Sequence, residues 1–265
     1  MEVLKIKIGY VVPVPLYWDA QEATPRGKLL KEWAFPNTEV NFVIVTEGPI
    51  TIETKYEEYL SVSATAKEIV RLEKEGYDAA IVGCAADPGL DAMREITTKM
   101  LVVGLGEASV LTAAMLGHKF SIISLYESET AIFEEVVYKA GVLDKLASVR
   151  ALNIAVLDLA VNRKSTLEKI IRVSQKAIED DGADCLVLGC GLMGFLNVAD
   201  EISKFLKIPV INPPKIALKM AESLVSSGLM HSKKAFALPP KLSSGKVKNI
   251  DQLFVYGHSP KVCRK

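Results

Sequence analysis

EGYDAAIVGCAADPGLDAMRE, residues 75–95, aligns without a gap on DGADCLVLGCGLMGFLNVADE, residues 181–201. The alignment superposes Gly76 on Gly182, Asp78 on Asp184, Gly83 on Gly189, Cys84 on Cys190, Leu90 on Leu196 and Glu95 on Glu201. Each copy reads as a helix end, a Gly-x-Asp turn, an apolar strand, Gly-Cys, a loop and a helix, and each is followed by a further short apolar strand. One unit used twice predicts an α/β protein of two pseudosymmetric parallel-sheet domains, about four strands each, with the active site in the cleft between them.

Outward from this repeat, strands are predicted at residues 5–12, 40–45, 79–83, 101–103, 120–124, 151–156, 185–189 and 209–211. Near-continuous apolar runs of this length suit parallel strands buried on both faces. Ser165-Thr166-Leu167-Glu168 reads as a capping box that opens a helix with Gly182 as its stop. A second helix is expected from about Ser128 to Gly141, with Ile132, Phe133, Val136, Val137 and Ala140 inward, and a third over residues 56–75. The first half is read as residues 1–106, completed by about 212–265, and the second as 107–211.

The 265 residues are 49% hydrophobic and 24% charged, with Lys+Arg 32 against Asp+Glu 32. This is a globular composition, and zero net charge argues against binding to nucleic acid or an anionic membrane surface. A small-molecule partner is expected, and self-association into a homo-oligomer is left open. With no 18-residue apolar run and no signal-peptide core, the chain reads as cytoplasmic. Four cysteines are too few for a disulfide scaffold, and they form no Cys-x-x-Cys. His118, His231 and His258 lie far apart, so no metal site is expected.

The repeat places Cys84 and Cys190 just past the carboxyl ends of parallel strands, where ligands bind in open α/β sheets. A lone cysteine there is more often core packing, but packing in one half does not require the same residue in the other. Two thiols facing a shared cleft from opposite halves suit stereoinversion of a carbon acid, one removing a proton while the other returns it. The backbone N–H groups of Ala85, Ala86, Gly191 and Leu192 are the expected binders of the enolate-like oxygen. Pro13, Thr46 and Ser124, at strand ends facing the same cleft, are further substrate-binding candidates. Tyr17 and Trp18 are read as a lid or as core cover. Cys185 and Cys263 have no duplicate and read as a core and a tail residue. Asp87 is read as a cap for the helix that follows it. Gly104-Leu105-Gly106 lacks the third glycine of a dinucleotide loop.

CAADPGLDAMREI from Cys84, GCGLMG from Gly189 and EGPITIETKYEE from Glu47 resemble the aspartate/glutamate/hydantoin racemase superfamily, closest to its hydantoin and allantoin branch. The resemblance spans about residues 5–225. It implies a cofactor-independent two-cysteine racemase, with the chain crossing to the second half and returning near its end, and no metal or organic cofactor. Amino-acid racemases of the superfamily usually carry Asn-Thr after each cysteine, where this chain has Ala85-Ala86 and Gly191-Leu192, so a hydantoin-like carbonyl compound is the expected substrate. The hydantoin branch's Asn-Pro-Asn-Thr-like loop is here Val12-Pro13-Val14-Pro15, and residues 231–265 have no counterpart. The rival readings are an aspartate- or glutamate-type racemase, a decarboxylase or cis–trans isomerase on the same fold, and a two-lobed binder without catalysis. The decarboxylases typically keep one of the two cysteines, so the presence of both favours racemisation.

Overall fold

The computed structural model describes residues 5–16 and 23–253; Tyr17, Trp18 and Cys263 lie outside the described residues. The first sheet holds β1 (Ile6–Val12), β2 (Thr38–Ile44), β3 (Ala79–Val82) and β4 (Leu101–Gly104), and the second holds β5 (Phe120–Ser124), β6 (Leu146–Ala151), β7 (Cys185–Leu188) and β8 (Val210–Ile211). Their spatial orders are β2-β1-β3-β4 and β6-β5-β7-β8, and every pair is parallel. The two halves therefore share one topology, as the repeat anticipates.

The duplicated residues have the same jobs in both copies. Asp78 accepts from the Lys7 backbone N–H at 2.7 Å, and Asp184 from that of Lys119 at 3.0 Å. Each carboxylate thus ties the entry to the inner strand of its sheet to the start of the neighbouring first strand. Alternation along β3 sends Ala79 and Ile81 to one face and Ala80 and Val82 to the other, and β7 divides Cys185 and Val187 from Leu186 and Leu188 in the same way. The central core takes the first set from both sheets, so a single apolar cluster joins the halves and Cys185 is buried within it.

The crossover between sheets runs through α4 (Leu105–Leu116), which contains the 106/107 boundary read from the sequence. The chain returns through α9 (Pro213–Ser226), which packs on α4, β1, β3 and β4. No helix of the described residues is long and apolar enough to cross a membrane.

Two local expectations are corrected. The strand expected at 151–156 is β6, five residues earlier. Its residues are all half-buried at the sheet edge, with polar side chains such as Ser148 and Arg150 that weaken its apolar signal. The helix expected to open with a capping box at Ser165 is α6 (Arg163–Asp181), capped by Asn162, whose side chain accepts from the Ser165 N–H at 3.1 Å. Gly182, in the left-handed conformation at φ 73°, closes it as anticipated. The other two helices are α5 (Thr130–Lys139) and α2 (Lys55–Lys74); α1 (Ala23–Trp33), which the sequence reading omitted, covers β2.

Candidate active site

β3 and β7 each end one residue before a Gly-Cys pair. The Gly83 N–H donates to the Val11 carbonyl and the Gly189 N–H to the Ile123 carbonyl, both at 2.8 Å. A Cβ on Gly83 would lie 2.7 Å from that Val11 oxygen, and one on Gly189 2.8 Å from the Ile123 oxygen, so the residue before each thiol must lack a side chain. The strands thus deliver Cys84 and Cys190 in equivalent positions, both half-buried and unbridged.

Cys84, Ala85, Ala86, Cys190, Gly191, Leu192 and Pro13 line one cavity between the halves. Thr46 and Ser124 are not among its lining residues. Thr46 is exposed beyond β2. Ser124 is buried, and its hydroxyl donates to the Tyr126 carbonyl at 3.2 Å, while the next residue, Leu125, takes the place on the wall.

Three N–H groups after the cysteines face sulfur. That of Ala86 serves Cys84, and those of Leu192 and Met193 serve Cys190. Burial nevertheless dominates, pushing the Cys84 thiol well up and the Cys190 thiol up to about 11. Nearby negative charge adds to the rise, from Cys190 and Asp87 at Cys84 and from Glu129 at Cys190, while Arg26 opposes it at Cys190.

Asp87 does not cap the helix that follows it, α3 (Leu90–Ile96), whose cap is Gly89. Its carboxylate accepts from the N–H groups of Gly106 and Glu107 at 2.8 and 2.6 Å and so caps α4. A Cβ on Gly106 would sit 2.2 Å from the Ala85 carbonyl oxygen. The glycines that suggested a nucleotide loop instead admit the Cys84 turn against the start of α4. Burial raises Asp87 to about 7 against those two bonds.

Four titratable wall residues escaped the sequence reading: Tyr10, Arg26, Glu53 and Glu129. Arg26, 6% exposed on α1, is the only cation among the described lining residues. Glu53 accepts from the Val156 N–H at 2.7 Å, joining the two halves at the cavity. Glu129 accepts from Leu125 and Tyr126 N–H at 2.8 and 3.2 Å, and burial raises it to about 7. Only Glu53 had a signal, as part of the stretch from Glu47 to Glu58. Among the described residues no group of three His, Cys, Asp or Glu side chains is placed to hold a metal ion.

Comparison with known proteins gives a consistent set of relatives. Hydantoin racemase from Pseudomonas sp. (strain NS671) is 35% identical over 212 residues, 80% of this chain and 84% of that one. Allantoin racemase from Klebsiella pneumoniae superposes with a TM-score of 0.82 at 28% identity, covering 89% of this chain and 94% of that chain. Allantoin racemase from Pseudomonas fluorescens gives a TM-score of 0.82 at 29% identity, with 89% and 97% covered. The family model described as Asp/Glu/Hydantoin racemase matches residues 28–221, and the chain belongs to that family.

Proposed function

We propose that this racemase inverts the stereocentre of a 5-substituted hydantoin or a closely related cyclic carbonyl compound, with Cys84 and Cys190 as the two proton-transfer groups. The observation that carries the reading is the pair of thiols, one from each repeat, lining a single cavity. One sulfur, as thiolate, takes the proton from the carbon beside the carbonyl, and negative charge passes to that carbonyl oxygen. The other sulfur, as thiol, delivers its proton to the opposite face. Each turnover leaves the two sulfurs with exchanged protonation states, so the reverse reaction uses the same groups in opposite roles. With the N–H groups of Ala86, Leu192 and Met193 turned to sulfur, the Arg26 guanidinium is, among the described lining residues, the positive group for the enolate oxygen.

The wall supports a substrate with an apolar substituent. Its lining is mainly apolar, with Val12, Phe42, Ile52, Ile132, Phe133 and Phe195 among the residues that form it. An acidic amino acid would bring two carboxylates to a cavity whose described lining already holds Glu53 and Glu129 against one arginine. Polarimetry on single enantiomers of 5-benzyl- and 5-isobutylhydantoin, allantoin, aspartate and glutamate tests this. Fastest loss of rotation is expected for the apolar hydantoins; preference for aspartate or glutamate, or no racemisation at all, contradicts it.

A further inference from the structure

Glu129 ends the short 3-10 turn Glu127–Glu129 that leads into α5, and it is 5% exposed. Both of its hydrogen bonds fall on one oxygen: Oε2 accepts from the Leu125 and Tyr126 N–H groups. Oε1 takes no hydrogen bond from a described residue, yet it is not among the polar atoms sealed in the interior without a partner. What little of the residue is exposed therefore includes this oxygen. Glu129 lines the thiol cavity, and its charge acts on Cys190. A carboxylate oxygen with free lone pairs thus opens on the cavity within electrostatic reach of one of the two sulfurs.

The backbone bonds alone do not call for a carboxylate. Glutamine would accept the same two N–H bonds through its amide oxygen without placing a charge there. Glu129 keeps an ionisable group against burial that raises it to about 7, with the Glu53 charge raising it further, and ionisable groups held at such a cost gather at functional sites. The substrate supplies a reason. A hydantoin ring carries an N–H on each side of its C2 carbonyl, and a donor enclosed in a mainly apolar cavity needs an acceptor. Glu53, the other carboxylate among the described lining residues, is half-buried and already holds the Val156 N–H.

We infer that Glu129 Oε1 accepts a ring N–H of the bound substrate and makes the site select compounds that carry one. The inference rests on the hydantoin reading of the substrate and deepens it, since the ring N–H becomes a recognised group. A site built around such a bond rejects the analogue that lacks it, because the acceptor is left unpaired against an alkyl group.

The test is calorimetric binding of 5,5-dimethylhydantoin, which has no hydrogen to lose at C5, and of its 1-methyl and 3-methyl derivatives, to the native protein and to Glu129→Gln at about pH 8.5. Glutamine keeps the Leu125 and Tyr126 bonds but turns an amide NH2 toward the cavity, so a ring N–H meets a donor instead of an acceptor. The native protein should bind 5,5-dimethylhydantoin at least about tenfold more tightly than one of the two N-methyl derivatives, the size of a hydrogen bond to a charged group, and the variant should lose about tenfold of that preference. The bulk of the methyl group acts on both proteins alike and cancels in the comparison of ratios, as does any change at Cys190 caused by removing the charge. An unchanged preference in the variant overturns the inference. So does equal binding of all three compounds by the native protein, a result that needs no variant to fold. Failure of all three to bind defeats the hydantoin reading together with the inference, whereas binding with an unaltered ratio defeats the inference alone.

Discussion

The Glu53 carboxylate accepts the backbone N–H of Val156 at 2.7 Å, and both residues line the cavity that holds the thiols. Glu53 precedes α2 in the first half and Val156 follows β6 in the second, so this bond fixes the separation of the two walls. Replacing Glu53 by Ala should lower kcat/KM about tenfold, the size of a lost hydrogen bond to a charged group, while Glu53→Gln, which keeps an acceptor oxygen, should stay within about threefold of the parent. Initial-rate kinetics on the two variants decide it; equal losses in both point to charge rather than to the bond.

The thiols set an alkaline pH dependence. Burial raises both, Cys190 to about 11, so at neutral pH each is protonated and the thiolate fraction grows about tenfold per pH unit. Alkylation of Cys190 in the substrate-free protein should accelerate in that proportion from pH 7 to 10 and level off near 11. A plateau reached below pH 8 would mean that the backbone N–H groups outweigh burial.

Asp87 joins the Cys84 turn to α4 through two N–H groups. Its replacement by Ala should cost about 1–2 kcal/mol as a lost helix cap and displace Ala85 and Ala86, lowering both the unfolding midpoint and kcat. Thermal unfolding and kinetics together check this, since loss of activity at an unchanged midpoint would give Asp87 a direct role in the chemistry instead.

Glu129 makes a stability prediction with a definite sign. Its folded pKa, about 7, lies above the ordinary carboxylate value of 4.5. Below pH 4.5 both folded and unfolded forms are protonated. As pH rises toward 7 the unfolded chain ionises first, so stability falls through that window by about 2–3 kcal/mol. Glu129→Gln, which still accepts from Leu125 and Tyr126, should raise stability at pH 8 and flatten the slope between pH 4.5 and 7, leaving the part that belongs to Asp87. Denaturant unfolding across this range measures it; a variant less stable at pH 8 contradicts it.

The fold was legible in the sequence because the duplicated residues carry local geometry. The Gly-Cys and Gly-x-Asp positions do the same work in both sheets, and their spacing alone reveals a unit used twice. β6 lies earlier than its expected position because it is a half-buried edge strand carrying Ser148 and Arg150, whereas residues 151–156 are apolar at every position but Asn153. The cap of α4 was missed because Asp87 acts across 19 and 20 residues, beyond any capping pattern read along the chain. Arg26, Glu53 and Glu129 reach the cavity from three different connections, and Tyr10 reads from sequence as one more apolar strand position. Such meetings depend on how two sheets dock, which neither periodicity nor a local motif records.

The most direct test of the two-cysteine account is solvent deuterium exchange at the stereocentre in Cys84→Ser and Cys190→Ser, followed by NMR on each enantiomer of a substrate that the parent racemises. Each variant should lose racemisation, because one face no longer has its thiol. Each should retain exchange on a single enantiomer, and the two variants should prefer opposite enantiomers, since the remaining thiolate removes and returns a proton on its own face. Full racemisation by either variant, or the same preference in both, would contradict the assignment of Cys84 and Cys190 to opposite faces of the substrate.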